Sequence, residues 1–235
     1  MIKETDHGWL LECSAGTGIF ARSRSVSGVG QDVSLSSPSR NDVLREIACS
    51  SGFARDGRIA GMTQVHGSDA VVVDADLEDY LPECDALLSA SPHVALSGIT
   101  ADCVPLVVFG EGACSVIHAG WRGLAGGVID HVIRELADLS GQDPAFFTAF
   151  VGPAAGACCY EVGDEVLESI GDTAVFENGH LASADTAVRQ LLSSGVSEIE
   201  SVDVCTICAA PSVLNSFRRD GESAGRQGVL AWLNS

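Results

Sequence analysis

The sequence predicts an α+β fold built on mixed β-sheets. Three observations point there. Strand-like runs outnumber helical ones and come in clusters instead of alternating with helices. The 26 glycines and the 19% charged content fit many tight turns better than long solvated helices. No internal repeat, low-complexity tract or linker interrupts the 235 residues, a length one domain can reach.

Along the chain, period-2 patterns bounded by turn residues place strands at 9–13 and 18–23. Residues 28–39 read as a loop, and 40–49 as a helix. Strands follow at 59–65, 70–74, 94–99, 104–109 and 114–117. Residues 124–139 form one amphipathic helix, with Val128, Val132, Leu136 and Leu139 on one face. A strand at 147–151 and a helix at 163–170 come next. Ser183 and Asp185 open a helix over 183–194 that presents Val188, Leu191 and Leu192. Strands at 202–205 and 227–233 close the pattern.

The net charge of −19 and the lack of a basic stripe argue against nucleic acid and against anionic membranes as partners. A few arginines can still make a local pocket for a small anion. No apolar run approaches the ~20 residues of a membrane span. The first 25 residues lack the basic start, apolar core and cleavage site of a signal peptide. With nine scattered cysteines, the expectation is a cytoplasmic protein whose thiols are mostly buried small hydrophobes.

Three blocks end apolar strands with metal-capable side chains: QVHG at 64–67, ADCVP at 101–105 and IHAGWRG at 117–123. Their two imidazoles and one thiolate, His66, Cys103 and His118, suit zinc with an open fourth position. The competing reading is two core histidines and a buried thiol. Asp85 and Asp102 lie beside these ligands as candidate partners for imidazole N–H groups, and Asp102 alternatively as a proton carrier. Arg122 is placed to bind phosphate in a bidentate way, with Arg22 assisting; Arg218 and Arg219 are further anion candidates. The small-residue run 152–160 reads as an anion-cradling loop without a P-loop lysine. CTIC at 205–208 and the pair Cys158-Cys159 are assigned to packing, because no second CxxC exists to complete a four-ligand site. His7, His93 and His131 read as structural.

QVHG, CDALLS, TADC, HAGWRG, VGPAAGACCYEVGDEV, CTIC and SFRRDG occur in that order. Together they resemble the YfiH-type family, also called laccase-domain or polyphenol-oxidase-like proteins and described as purine nucleoside phosphorylases. The resemblance implies a single α+β domain, here 1–235, of packed mixed sheets with flanking helices. It implies zinc on His66, Cys103 and His118. It also implies purine nucleosides and phosphate as partners: phosphorolysis of adenosine, inosine and methylthioadenosine, and deamination of adenosine. The family's Thr-Thr-Arg-x-Gly-Gly-Val-Ser loop reads FARSRSVS here, keeping Arg22 and replacing both glycines with Arg24 and Ser25. The segment after Val166 is shorter than the family's.

Two other activities compete. A copper polyphenol oxidase fits the older family label, and His/Cys ligands bind copper tightly. Six histidines, two of them in the triad, are too few for a full laccase centre. A cysteine hydrolase or amidase, with Cys103 as nucleophile, fits the family's link to peptidoglycan editing. Oligomeric state is not legible.

Overall fold

The computed structural model describes residues 1–5, 8–22, 40–75 and 81–234. The expected loop at 28–39, together with Arg24 and Ser25, lies outside them.

Among the described residues, fourteen strands form two six-stranded sheets and a small hairpin. The first sheet runs β1 (Ile2–Thr5), β2 (Gly8–Glu12), β3 (Gly16–Ala21), β14 (Gln227–Leu233), β7 (Val94–Thr100), β4 (Arg58–Ala60). The second runs β13 (Glu198–Ser201), β10 (Thr148–Val151), β8 (Val104–Gly110), β9 (Ala113–Ala119), β6 (Ala86–Ser89), β5 (Ala70–Val72). Strands β11 (Phe176–Glu177) and β12 (His180–Leu181) pair antiparallel. Both large sheets are mixed: β4–β7, β10–β13 and β5–β6 are parallel, and their other pairs are antiparallel.

The sheets pack face to face. Leu87, Val107, Phe109, Val116 and Phe150 of the second meet Leu11, Phe20, Leu96 and Val229 of the first. The intervening residues of the same strands, Leu88, Leu106, Val108 and Ile117, turn the other way onto α3 (Val128–Ser140) and α5 (Ser183–Ser193). On the far side, Leu44 and Ile47 of α1 (Arg40–Ser50) cover Ile19, Ile59, Leu230 and Trp232. Covering both faces explains why β7, β8 and β9 are buried at every residue and read as apolar runs.

Several elements depart from the sequence expectation, and the strand expected at 59–65 is reduced to β4. The helix expected over 124–139 is two, α2 (Trp121–Ala125) and α3, because Gly127 takes φ +76° between them. The strand expected at 202–205 lies earlier, as β13, while Val202 and Val204 pack into the core beyond its end. Strand β6 sits inside the CDALLS block. Helix α4 (Asp164–Ile170) follows the expected pattern, and a short α6 (Phe217–Asp220) was not foreseen. Among the described residues no helix is long and apolar enough to cross a membrane.

Candidate metal centre and its pocket

The β8–β9 hairpin explains the fifteen-residue spacing between Cys103 and His118. Val104 pairs with Ala119 and Pro105 with His118, so the residue before β8 faces the end of β9. His66 arrives from the loop between β4 and β5, with φ +61°. Its ring meets that of His118 edge to face, 5.0 Å between centroids. One ligand atom from each of His66, Cys103 and His118 lies within 4.8 Å of the others. Gly120 allows this closeness: a Cβ there would stand 3.0 Å from Cys103 Sγ and 3.4 Å from His66 Cδ2.

Asp85, fully buried one residue before β6, organises the group. Its Oδ1 accepts from His66 N–H at 3.0 Å and from His118 Nδ1 at 2.8 Å. Its Oδ2 accepts from Val65 N–H at 3.3 Å and Gly67 N–H at 2.6 Å. A carboxylate can only accept, so His118 donates from Nδ1, which turns Nε2 toward Cys103, where it can ligate once it gives up its proton. Burial alone would raise the Asp85 carboxyl; His118 and the loop N–H groups outweigh it and hold it below the ordinary value. Burial also opposes a Cys103 thiolate, but hydrogen bonds from His118 and His66 bring that thiol down to about 6. Burial would likewise lower His118, and Asp85 and Cys103 override it, raising the imidazole to about 9. A soft thiolate with two imidazoles, one oriented by a buried carboxylate, is a donor set that fits a borderline divalent ion.

The triad opens into a cavity of about 430 Å³ whose rim carries Arg122, Arg218 and Arg226 with Trp121, Tyr160 and Phe217. Each guanidinium lies over an aromatic ring: Arg122 over Trp121 at 4.3 Å, Arg218 over Tyr160 at 4.9 Å, Arg226 over Phe217 at 6.0 Å. Arg226 escaped the sequence reading; its only signal was a lone basic residue among small ones just before β14.

Two expected site residues sit differently. Arg22 is ion-paired with Glu4 and lies 4.8 Å over the Trp9 ring, and it does not line the cavity. Its anchor is the first sheet, because Gly8 at the start of β2 pairs with Ala21 at the end of β3. Asp102 touches the cavity, but its carboxylate faces away from the imidazoles. It accepts from Thr206 Oγ1 at 2.5 Å, Ser216 Oγ at 3.1 Å and Arg218 N–H at 2.7 Å. Those bonds make it a tie between the turn before Cys103 and the start of α6, which carries Arg218. Of these two carboxylates, Asp85 is the one that partners an imidazole of the triad. Arg219 also turns inward, donating to the carbonyls of Thr206, Ile207, Ala209 and Leu214. His131 bonds the Ser68 carbonyl, in keeping with a structural role.

The fold and this triad define a class: an α+β protein with a candidate metal pocket at the ends of its central strands. Known proteins narrow the class. A family model described as "Multi-copper polyphenol oxidoreductase laccase" matches residues 37–234. A purine nucleoside phosphorylase of Streptomyces coelicolor is 36% identical over 200 residues, 81% of each chain. The purine nucleoside phosphorylase YfiH of Escherichia coli is 33% identical over 184 residues, 73% of this chain and 72% of its own. The crystal structure of YlmD from Geobacillus stearothermophilus superposes with a TM-score of 0.83 at 25% identity, covering 100% of this chain and 99% of that one. The chain belongs to this laccase-domain family, the YfiH-type group to which its motifs point. Among the described residues the metal-capable groups are the triad and a set of four cysteines, and neither is a multi-histidine copper cluster.

Proposed function

We propose that residues 1–235 act as one catalytic unit that cleaves purine nucleosides with phosphate, with zinc on His66, Cys103 and His118. The observation that carries the reading is the juxtaposition of that donor set with three arginines around one cavity. The names of the relatives agree with it. Phosphorolysis forms a bond between a phosphate oxygen and ribose C1′ as the C1′–N9 bond breaks. The purine leaves with the electron pair and takes up a proton from water. Arg122, Arg218 and Arg226 hold the phosphate dianion, and Arg pairs naturally with phosphate in a fork geometry. The rings of Trp121, Tyr160 and Phe217 supply flat apolar surface for the base. A bound ion supplies Lewis-acid polarisation in such a site. Asp102 positions Arg218 through its backbone. Adenosine, inosine and methylthioadenosine are the substrates. Deamination of adenosine, in which water displaces ammonia at C6, uses the same cavity without phosphate. The nine cysteines, none in a disulfide, fit a reducing compartment, so we assign the enzyme to the cytoplasm.

The test joins metal analysis to a product assay. Inosine with phosphate should give hypoxanthine and ribose 1-phosphate, with release of the base dependent on phosphate. His66→Ala, Cys103→Ala and His118→Ala should each remove the pocket zinc and the activity. Retention of both by all three variants would defeat the assignment. Arg122→Ala should raise the KM for phosphate while sparing adenosine deamination, and equal loss of both reactions would assign Arg122 to structure.

A second reading rests on the Asp85–His118–Cys103 chain, which also suits a thiol nucleophile with an oriented base. An amidase would cleave acyl bonds in metal-free protein and be inactivated by alkylation of Cys103; the phosphorylase requires its metal.

A further inference from the structure

Sequence spacing alone assigns Cys158, Cys159, Cys205 and Cys208 to packing. The structure instead gathers them. Cys158 and Cys159 lie on the loop after β10, Cys205 and Cys208 on the loop after β13. The sulfur separations are 3.4 Å for Cys158–Cys159, 3.3 Å for Cys158–Cys208, 3.5 Å for Cys159–Cys205 and 3.3 Å for Cys159–Cys208. All four sulfurs lie within 4.8 Å of one another. We propose that these four cysteines bind one zinc ion, which clasps the loop bearing Tyr160 to the loop leading to Arg218.

The distances suit a single ion. Zinc–thiolate bonds of about 2.3 Å in a tetrahedron put the sulfurs about 3.8 Å apart, a few tenths of an ångström beyond the four close separations of 3.3–3.5 Å and inside the 4.8 Å that bounds every pair. A disulfide needs about 2.05 Å and none of the four is in one. Close packing of four apolar side chains does not account for the arrangement either, because Cys158 and Cys208 are exposed. The backbone is already set for ligation. Ala154 bridges Cys205 in parallel register, and Thr206 N–H bonds the Ala154 carbonyl at 3.0 Å. Gly156 N–H donates to Cys205 Sγ at 3.4 Å, the kind of bond that steadies a metal-bound thiolate. Binding releases the thiol protons to water and leaves an anionic centre. The Arg219 guanidinium, bonded to the carbonyls of Thr206, Ile207 and Ala209, wraps the same turn and offsets that charge.

The clasp reaches the pocket from outside it. Tyr160 follows Cys159 directly and lies under Arg218, whose Nη1 bonds the Glu161 carbonyl at 2.9 Å. Thr206, between the two cysteines of CTIC, holds Asp102. This site stands whether or not the pocket cleaves nucleosides.

The full chain, purified with zinc and without chelator, should carry two equivalents of zinc. Cys205→Ser with Cys208→Ser should lose one of them and keep the other, and His118→Ala should show the reverse loss. Replacing zinc with cobalt gives thiolate charge-transfer absorption from five cysteines, and the cysteine double variant should keep roughly a fifth of it. Should that variant fail to fold, peptide mapping of wild-type protein after iodoacetamide decides. Zinc should protect all four cysteines together, and chelator should expose them. Unchanged zinc in the double variant, labelling indifferent to zinc, or a mapped Cys158–Cys208 disulfide would each overturn the site.

Discussion

Replacing Asp85 with Asn tests the organisation of the pocket triad most directly. The substitution keeps size and shape but leaves one accepting oxygen where there were two. Oδ1 serves His66 N–H and His118 Nδ1, and Oδ2 serves Val65 N–H and Gly67 N–H. Whichever position the new NH₂ takes, two buried donors face another donor. Hydrogen bonds to a charged group contribute about 1.5–3 kcal/mol each, so the expected loss of stability is about 3–5 kcal/mol. That is a large share of the ~5–15 kcal/mol typical of a domain. Loss of the His118 orienter should weaken zinc binding about 10–100-fold. Urea unfolding reads the first quantity and competition with a chromogenic chelator the second. The Asp85 carboxyl is lowered in the folded protein, so its contribution is present above the ordinary carboxylate pKa and fades as pH falls through the lowered value. The gap between wild type and variant should therefore narrow only in acid. An unchanged unfolding midpoint, with zinc affinity held within about twofold, would refute the role given to Asp85.

Three further outcomes follow from the same geometry. Gly120→Ala keeps an allowed backbone, φ −73°, but pushes a methyl against Cys103 Sγ and His66, so zinc affinity should fall about tenfold with little change in Tm; equal affinity would mean the triad has slack. Arg22→Ala should leave the KM for phosphate unchanged and lose about 1 kcal/mol or less of stability, whereas Arg218→Ala should raise that KM roughly tenfold or more; the opposite ranking in phosphate kinetics would return Arg22 to the pocket. In metal-free protein, alkylation of Cys103 followed by peptide mapping should rise with a midpoint at about 6, against about 8.5 for an ordinary thiol, and added zinc should suppress it; a midpoint in the ordinary range would contradict the influence of His118 and His66.

The triad was legible because each member sits in a motif beside an apolar run: Cys103 directly precedes β8, His118 lies near the end of β9, and His66 reaches them from the loop after β4. The spacing from Cys103 to His118 is the length of one hairpin, a local quantity. Asp85 was visible only as a carboxylate near a ligand; that it, and not Asp102, meets an imidazole depends on β6 lying beside β9, a long-range pairing. That the four cysteines meet was hidden for the same reason: 46 residues separate Cys159 from Cys205, and proximity across two loops leaves no periodic trace. The strand at 198–201 escaped because an edge strand, half exposed, can read EIES, while the more apolar residues after it fill the core without joining a ladder.

The position of β14 has a consequence for how the protein is made. It is the last of the described strands in chain order, yet it lies in the interior of the first sheet, between β3 and β7. Until it emerges, β1–β3 and β4–β7 remain separate ribbons with open edges. The residues just before it, Arg218 and Arg226, complete the cavity rim. A nascent chain stalled before residue 218 thus lacks sheet closure and two arginines of the cavity rim together. Closure of the first sheet and completion of the cavity rim are thereby coupled to the addition of one strand and the residues that lead into it.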